Sequence, residues 1–202
     1  MPAPRRDALA SDRLTAHVHR VTGAELAEYV DGIRAVYAEA FAEPPWNEGP
    51  EEAAGFVRRL ADDARRPGFV GAVATAADTG EVLGFSTAWL IGTPLPTGGL
   101  YGRVAEALGP DRVAAWLCGA LKVDELAVAG AARGSGAAAA LLAAVTADAP
   151  DGRCWLITSP RAEAALRFYA RQGWRRVTTA EQDAPAVLLA PGHPAPDAPQ
   201  GA

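Results

Sequence analysis

Residues 121–142 read LKVDELAVAGAARGSGAAAALL and contain a strand, a glycine loop and the start of a helix. The apolar and β-branched residues at the beginning of this stretch predict the strand. Gly134 and Gly136 flank Ser135, and small residues and leucines follow. A strand that turns through glycines into a helix directs the unpaired N–H groups of the first helical turn at one point, where the helix dipole adds partial positive charge. The pattern therefore predicts a loop that can hold a phosphate or pyrophosphate.

The strand itself contains a break in its two-residue alternation. Apolar side chains stand at Leu121 and Val123, and the alternation resumes one position out of step at Leu126. A β-bulge at Asp124-Glu125 would produce this slip, because one extra residue moves every later side chain to the other face. A strand that is covered on both faces need not alternate at all. Both interpretations are open at this point.

The glycine loop resembles the acyl-CoA-binding motif of the GNAT N-acetyltransferase superfamily. That motif is Arg or Gln, two residues, Gly, one residue, and Gly or Ala, and it is matched by Arg133, Gly136 and Ala138. Two other phosphate-binding patterns do not fit. The dinucleotide fingerprint needs three spaced glycines and a later acidic residue, and the P-loop needs a Gly-Lys-Ser/Thr ending.

A second motif strengthens the resemblance. Residues 162–174 read AEAALRFYARQGW, in which a helix carrying Tyr169 ends at Gly173 and an aromatic residue follows. The two motifs stand in the family's order and at its usual separation. The resemblance extends over roughly residues 21–190. It implies a mixed α/β (α+β) sheet with helices on both faces, in which the central strands splay and acyl-CoA enters the gap.

The resemblance also implies a cofactor, acetyl-CoA, and the residues that bind it. At position 162 relatives often carry Asn, and this chain has Ala162, which puts the details of cofactor binding in doubt. The expected cofactor-binding residues lie on the strand that begins at Leu121, on the glycine loop and in the second motif. They are Leu126, Ala127, Val128, Arg133, Gly134, Ser135, Gly136, Ala137, Ala138, Ala162 and Ala165.

The implied reaction is acyl transfer from a thioester to an amine, which needs a polarised carbonyl, a positioned amine, a base and an acid. Tyr169 stands where relatives carry a tyrosine that protonates the leaving thiolate, and its alternative role is a core aromatic. Glu125, at the proposed bulge, is the predicted base. Asp124 competes with it, and Glu43 and Glu48 are more remote alternatives.

Composition excludes several other classes of protein. The chain has 202 residues, 50% of them hydrophobic, and a net charge of −5. An acidic chain is not a general nucleic-acid binder, and no apolar run is long enough to span a bilayer. We expect a cytoplasmic location, since no signal peptide is visible. Cys118 and Cys154 are expected to be buried free thiols, and the three histidines show no metal-ligand pattern, so no metal site is predicted.

The chain reads as one domain with an insertion. Residues 1–12 and 191–202 are predicted to be disordered, and residues 13–190 to form the acetyltransferase domain. Residues 92–119 form an insertion with two short helices. Such an insertion could close over the acceptor as a lid, form a homodimer interface, or pack on the sheet edge.

Two shorter segments outside the motifs also carry predictions. Ser159-Pro160 is expected to cap and begin the helix that carries Tyr169. Trp46 lies in a loop that borders the acceptor site in the family, and the preferred interpretation is that it only caps the core.

The sequence does not name the amine acceptor, which could be a small molecule or a protein amine. The acidic balance mildly favours cationic amines. The alternatives to an N-acetyltransferase are a non-catalytic acyl-CoA sensor of the same fold and an acyltransferase that uses a longer chain.

Overall fold

The computed structural model describes residues 16–179 and 184–195. Within them, one sheet has the strand order β1-β2-β3-β4-β5-β7-β6. β4 and β5 are parallel, and the other neighbouring pairs are antiparallel. The strands are β1 (Ala16–Val21), β2 (Val70–Ala76), β3 (Val82–Leu90), β4 (Leu121–Val128), β5 (Cys154–Thr158), β6 (Arg175–Arg176) and β7 (Ala186–Leu189).

Helices cover both faces of this sheet. They are α1 (Val30–Ala40), α2 (Pro50–Asp63), α3 (Gly99–Leu108), α4 (Pro110–Arg112, continued by a π-helical turn, Val113–Leu117), α5 (Ala137–Thr146) and α6 (Glu163–Arg171). The mixed α/β fold expected from the sequence is confirmed.

Each helical layer buries its own part of the core. Ile33 of α1 and Phe56 of α2 pack with Phe85 of β3 on one face. Leu141 of α5 packs with Leu156 of β5 on the other face. Because the apolar residues of each helix fall along one side, both faces of the sheet are shielded from water.

The central strand contains a β-bulge. Thr87 of β3 pairs with Glu125, and the next residue, Ala88, pairs with Val123, so Asp124 has no opposite residue. The slip in the apolar pattern of β4 therefore reports a bulge, and the alternative of an unbroken strand covered on both faces is not needed. On its other side β4 pairs with β5 only up to Val123. Beyond the bulge the two parallel strands separate and leave a gap in the sheet.

The helix that carries Tyr169 begins later than the sequence predicts. Ser159 does not cap it, because α6 starts at Glu163 and its N-cap is Ala162. Instead, the Ser159 hydroxyl accepts a hydrogen bond from the Arg161 N–H at 3.2 Å, and the Ser159 carbonyl accepts one from the Ala162 N–H at 3.1 Å. These local bonds close a turn before the helix. Gly173, where the sequence predicts the end of the helix, follows α6 in the left-handed conformation, with φ +79°.

The insertion is helical, as predicted, and packs against the sheet. Trp116 and Leu117 join a cluster with Trp155 of β5, and the Tyr101 ring lies edge-on to Trp155, with centroids 6.5 Å apart. The first residues of segment 191–202, which the sequence predicts to be a disordered tail, pack against this cluster. His193 Nε2 lies 3.0 Å from the Trp116 carbonyl oxygen. Burial lowers the pKa of His193, so its ring is neutral at pH 7.

The folded part of the chain therefore extends past residue 190, the boundary drawn from the Pro/Gly-rich sequence. Residues 191–195 are ordered, and the Arg175 guanidinium donates to the Ala195 carbonyl. The predictions for residues 1–12 and 196–202 lie outside the described residues. Cys118 and Cys154 are buried free thiols, as expected.

Truncation of Trp116 should destabilise the protein, because its side chain is only 9% exposed and fills the space between the insertion and the sheet. Trp116→Ala should lower the free energy of unfolding by ~3–5 kcal/mol, measured by urea denaturation. Leu100→Ala is the control, since Leu100 of the same insertion is 42% exposed. Equal stability of Trp116→Ala and the wild type would mean that the insertion is not part of the core.

Candidate active site

Two adjoining cavities open where β4 and β5 separate. The first, here called the loop-side cavity, has a volume of about 250 Å³ and reaches from β4 to Arg133, Ala138 and Tyr169. The second, the insertion-side cavity, has about 500 Å³ and reaches to Tyr37, Glu48 and Arg103. The wall that both cavities share is formed by Phe41, Trp46, Asp124, Glu125, Ile157 and Thr158.

The glycine loop forms one end of the loop-side cavity. Gly134 and Gly136 have φ of +78° and +93°, a region that residues with a Cβ rarely adopt. Gly136 is the N-cap of α5. The Ser135 hydroxyl donates to the Ala132 carbonyl at 2.7 Å and accepts from the Ala137 N–H at 3.3 Å, which fixes the loop.

This loop suits a pyrophosphate. The N–H groups of Ala138 and Ala139, in the first turn of α5, have no acceptor within the helix. Arg133 is exposed and lines the cavity. Free N–H groups, the positive end of a helix dipole and a guanidinium therefore meet at one mouth, a combination that binds anions.

The exposed edge of β4 adds two backbone donors. The Ala129 N–H donates to the Leu83 carbonyl of β3 at 2.8 Å. Because N–H groups alternate in direction along an antiparallel strand, those of Leu126 and Val128 are directed away from β3, towards the gap. Both residues line the loop-side cavity. Such donors can stabilise negative charge on a carbonyl oxygen.

Glu125 stands in the wall between the cavities with an altered acidity. Its removal from water and the neighbouring charge of Asp124 raise the pKa of Glu125 to about 8, while Lys122 and Arg59 act in the opposite direction. Within the described part of the chain, its carboxyl has no hydrogen-bond or ion-pair partner. With this pKa the carboxylate is a stronger base than that of an ordinary glutamate, and it can accept a proton once it is ionised, as a general base must.

Asp124, the competing carboxylate, is committed to an ion pair. Its partner is the ammonium group of Lys122, which is 6% exposed. Lys122 also lies over the rings of Trp89 and Tyr101, 5.2 and 5.7 Å from their centroids. Burial alone would lower the pKa of Lys122, but the Asp124 carboxylate and the other neighbouring groups raise it overall. Because the Asp124 carboxylate is occupied by this ion pair, Glu125 is a better candidate for the base than Asp124.

The remote carboxylates occupy different places. Glu48 lines the insertion-side cavity and accepts a 2.5 Å hydrogen bond from the Tyr37 hydroxyl. Glu43 is exposed and lines neither cavity. Trp46 lines both cavities and contacts the Phe41 ring, with centroids 5.5 Å apart. The interpretation of Trp46 as only a cap on the core is therefore wrong.

Tyr169 lies on α6 at the loop-side cavity. It is 8% exposed, and its ring packs against Phe168 and Trp174 at centroid distances of 5.2 and 5.9 Å. Burial, with the charge of Glu125, raises the pKa of Tyr169. Its hydroxyl has no hydrogen-bond partner in residues 16–179 and 184–195. The group stays protonated at neutral pH and is available as a donor.

The structure brings most of the predicted site residues together. Six of the predicted cofactor-binding residues line the loop-side cavity, namely Leu126, Ala127, Val128, Arg133, Ala138 and Ala165. Gly134, Ser135, Gly136 and Ala137 form the loop and the first residue of α5. Ala162 is 5% exposed and lines neither cavity. The structure thus does not bring Ala162 to the site, because the late start of α6 places it in the packed N-cap.

Sequence reasoning missed the insertion-side wall. Leu100 and Arg103 of α3 line it, as does Lys122. One signal was present, since Lys122 is the single lysine of the chain and precedes two acids on the key strand. No comparable signal marks Leu100 or Arg103, because their place depends on how the insertion folds back.

Two further observations concern the described residues. None of the helices they form has the length and apolar character that crossing a membrane requires. They also contain no group of three or more His, Cys, Asp or Glu side chains arranged to hold a metal ion.

Solved structures with the same fold are numerous. A protein from Pyrococcus horikoshii OT3, PH1933, has 13% identity and a TM-score of 0.59, over 87% of this chain and 98% of its own. The PaiA N-acetyltransferase from Thermoplasma acidophilum, solved with coenzyme A, has 11% identity and a TM-score of 0.54, over 87% and 98%. The histone acetyltransferase HPA2 and related acetyltransferase from Corynebacterium glutamicum ATCC 13032 has 18% identity and a TM-score of 0.55, over 91% and 99%. At sequence identities this low, the similarity shows that the fold is shared and nothing more.

No curated protein matches the chain at the level of sequence. A family model does match it, over residues 31–174, and is described as the acetyltransferase (GNAT) family. The match includes the glycine loop, the bulged strand and the helix of Tyr169, which are the elements that build the two cavities. The chain therefore belongs to the GNAT acetyltransferase family.

Proposed function

We propose that the protein is an N-acetyltransferase that moves an acetyl group from acetyl-CoA to a primary amine by direct attack in a ternary complex. The observation that carries this proposal is the wall that the two cavities share. Glu125 stands in that wall, with the glycine loop on one side and a separate cavity of about 500 Å³ on the other. A donor and an acceptor that enter from the two sides meet at one carboxyl group.

Arg133 and the N–H groups of Ala138 and Ala139 would hold the pyrophosphate of CoA at the loop. Acetyl-CoA, when bound, supplies a thioester whose carbonyl carbon accepts the amine nitrogen and whose sulfur leaves as the thiol of CoA. The N–H groups of Leu126 and Val128 would donate to the carbonyl oxygen.

Two side chains handle the protons. Only a neutral amine can attack, so Glu125 as a carboxylate would take the proton that the amine nitrogen must lose. Tyr169, which is protonated at neutral pH, would give its proton to the departing thiolate, so that CoA leaves as the thiol, and would regain a proton from solvent. The base lies on the shared wall and the tyrosine on the loop side only, so each group acts on its own side of the reacting atoms.

One observation favours the alternative of a non-catalytic acyl-CoA sensor. Ala162 replaces the Asn that relatives often carry, and it lines neither cavity. The sensor would bind acetyl-CoA without transfer. The presence of both Glu125 and Tyr169 at the site supports the enzyme.

The proposal is tested by calorimetric titration with acetyl-CoA and CoA, followed by release of free thiol across a panel of amines. Binding together with thiol release on some amines would support the transferase. Binding without release on any amine would favour the sensor. Absence of binding would contradict both.

Replacement of Gly136 should abolish tight cofactor binding. At φ +93° a β-branched residue is strained, so Gly136→Val should rebuild the loop and weaken acetyl-CoA binding by at least ~10-fold, a loss in line with about one charge-assisted hydrogen bond. Gly80→Val is the matched control, because Gly80 has φ +73° and, like Gly136, open space where the Cβ would stand. Gly80 lies in the β2-β3 turn, outside both cavities. Equal affinity of the two folded variants would remove the loop from the cofactor site.

The role of Glu125 predicts a pH profile. The base must be deprotonated, so kcat/KM should rise with pH and level off above about 8. Glu125→Gln should lower kcat/KM by ~10²-fold or more and abolish this inflection. The inflection should stay in place when the acceptor is exchanged for an amine of different pKa. Glu43→Gln is the control, and a wild-type profile in Glu125→Gln would refute the assignment.

Tyr169→Phe should separate turnover from binding. Loss of the hydroxyl removes a donor to the leaving sulfur, so kcat should fall by ~10²-fold. The ring and its packing remain, so the dissociation constant of acetyl-CoA should stay within about threefold, as expected for a group that acts mainly in the transition state. Tyr29→Phe, outside both cavities, is the control. Unchanged kcat would assign Tyr169 to the core.

A further inference from the structure

The charged side chains of the insertion-side cavity are not all balanced. The Asp124 carboxylate is paired with the Lys122 ammonium. The Glu48 carboxylate accepts a hydrogen bond from the Tyr37 hydroxyl. Arg103 lines the same cavity, is exposed, and has neither an ion-pair nor a hydrogen-bond partner among the described residues. The cavity therefore presents a guanidinium that no carboxylate of residues 16–179 and 184–195 neutralises.

The position of Arg103 distinguishes the two ends of the insertion-side cavity. Arg103 lines the insertion-side cavity but not the loop-side cavity, whereas Glu125 lines both. The amine of an acceptor must reach the shared wall, where the thioester is expected. Any group that Arg103 binds is therefore a group of the acceptor other than the reacting amine.

Arg103 also has an apolar neighbour on the same helix face. Leu100 precedes it by three residues, so the two side chains lie one above the other on α3. Both line the cavity, and Leu100 is the single large apolar side chain that is exposed among the described residues, at 42%. With Trp46, Phe41 and Tyr37 in the walls, the cavity offers apolar contact along its length and a cation near its rim.

We infer that the acceptor is an amine that also carries an anionic group, first of all a carboxylate, on an apolar body, and that Arg103 selects it. An apolar α-amino acid is the simplest molecule of this class. A guanidinium binds a carboxylate through two parallel hydrogen bonds, which an ammonium group cannot reproduce. This inference rests on the proposed N-acetyltransferase function and reverses the mild expectation of a cationic amine, because Arg103 offers a guanidinium at the cavity, unpaired among the described residues, although the chain as a whole is acidic.

The test compares acceptors that carry an anionic group with acceptors that lack it. Phenylalanine, phenylalaninamide and 2-phenylethylamine share an aromatic body and an amine, and phosphoethanolamine against ethanolamine tests a phosphate in place of the carboxylate. Thiol release gives kcat and KM for each. Calorimetric titration of N-acetylphenylalanine into the complex with CoA measures binding without turnover.

Three variants connect the selectivity to the residue. Arg103→Ala should raise KM for phenylalanine by ~10-fold or more, change kcat little, and leave 2-phenylethylamine within about twofold, since a rim charge acts mainly on binding of the charged partner. Arg103→Lys should recover part of the loss, because it restores charge without the fork. Arg112→Ala is the control, since Arg112 lies on the same insertion but stacks on Trp116, 5.3 Å from its centroid.

The outcomes separate this inference from the proposed function. Preference for phenylalanine over its amide, lost in Arg103→Ala but not in Arg112→Ala, would support it. Preference for phosphoethanolamine, lost in the same variant, would support the anionic class with phosphate as the group. Transfer to the neutral amines with no preference for an anion would overturn the inference and leave the N-acetyltransferase standing. Acetyl-CoA binding with no transfer to any acceptor would overturn both.

Discussion

The separation of β4 from β5 is the constraint on which the rest of the site depends. Two parallel strands in a sheet normally bond along their whole length, and these two stop after Val123. The cause is local, because Asp124 is an extra residue in β4 and turns the following backbone. Backbone N–H groups that would have bonded to β5 are left facing a gap. The gap admits a ligand without any strand having to leave the sheet.

The same bulge sets the electrostatics. In a regular strand, Asp124 and Glu125 would point to opposite faces. Here both line the two cavities, so two carboxylates compete within a small volume. Lys122 forms an ion pair with Asp124, and its ammonium group also lies over the rings of Trp89 and Tyr101. Glu125 is left without a partner among the described residues, and its burial, together with the neighbouring charge of Asp124, raises its pKa. The ion pair thus occupies one of two adjacent acids and leaves the other free to act as the base.

The features that could be predicted from the sequence are those written in local patterns. The slip between Val123 and Leu126 marks the bulge, the spacing of Arg133, Gly134 and Gly136 marks the loop, and Tyr169 stands in a helix that ends at glycine. The start of α6 was misplaced because a Ser-Pro pair fits either a helix cap or a turn. The insertion-side wall was missed because Leu100 and Arg103 reach the cavity through long-range packing of the insertion on β5. Residues 191–195 were missed because their place in the fold depends on one long-range contact, that of the buried His193 with the Trp116 carbonyl.

The measurement that tests the central claim most directly is a titration of ¹⁵N-labelled protein with CoA, followed by amide chemical shifts. If the gap beyond the bulge is the cofactor site, the largest shifts will fall on Leu126 and Val128 of β4 and on residues 134–139 of the loop and α5. Shifts confined to another surface, such as the groove between residues 23–30 and α2, or no saturable shifts at all, would contradict the account.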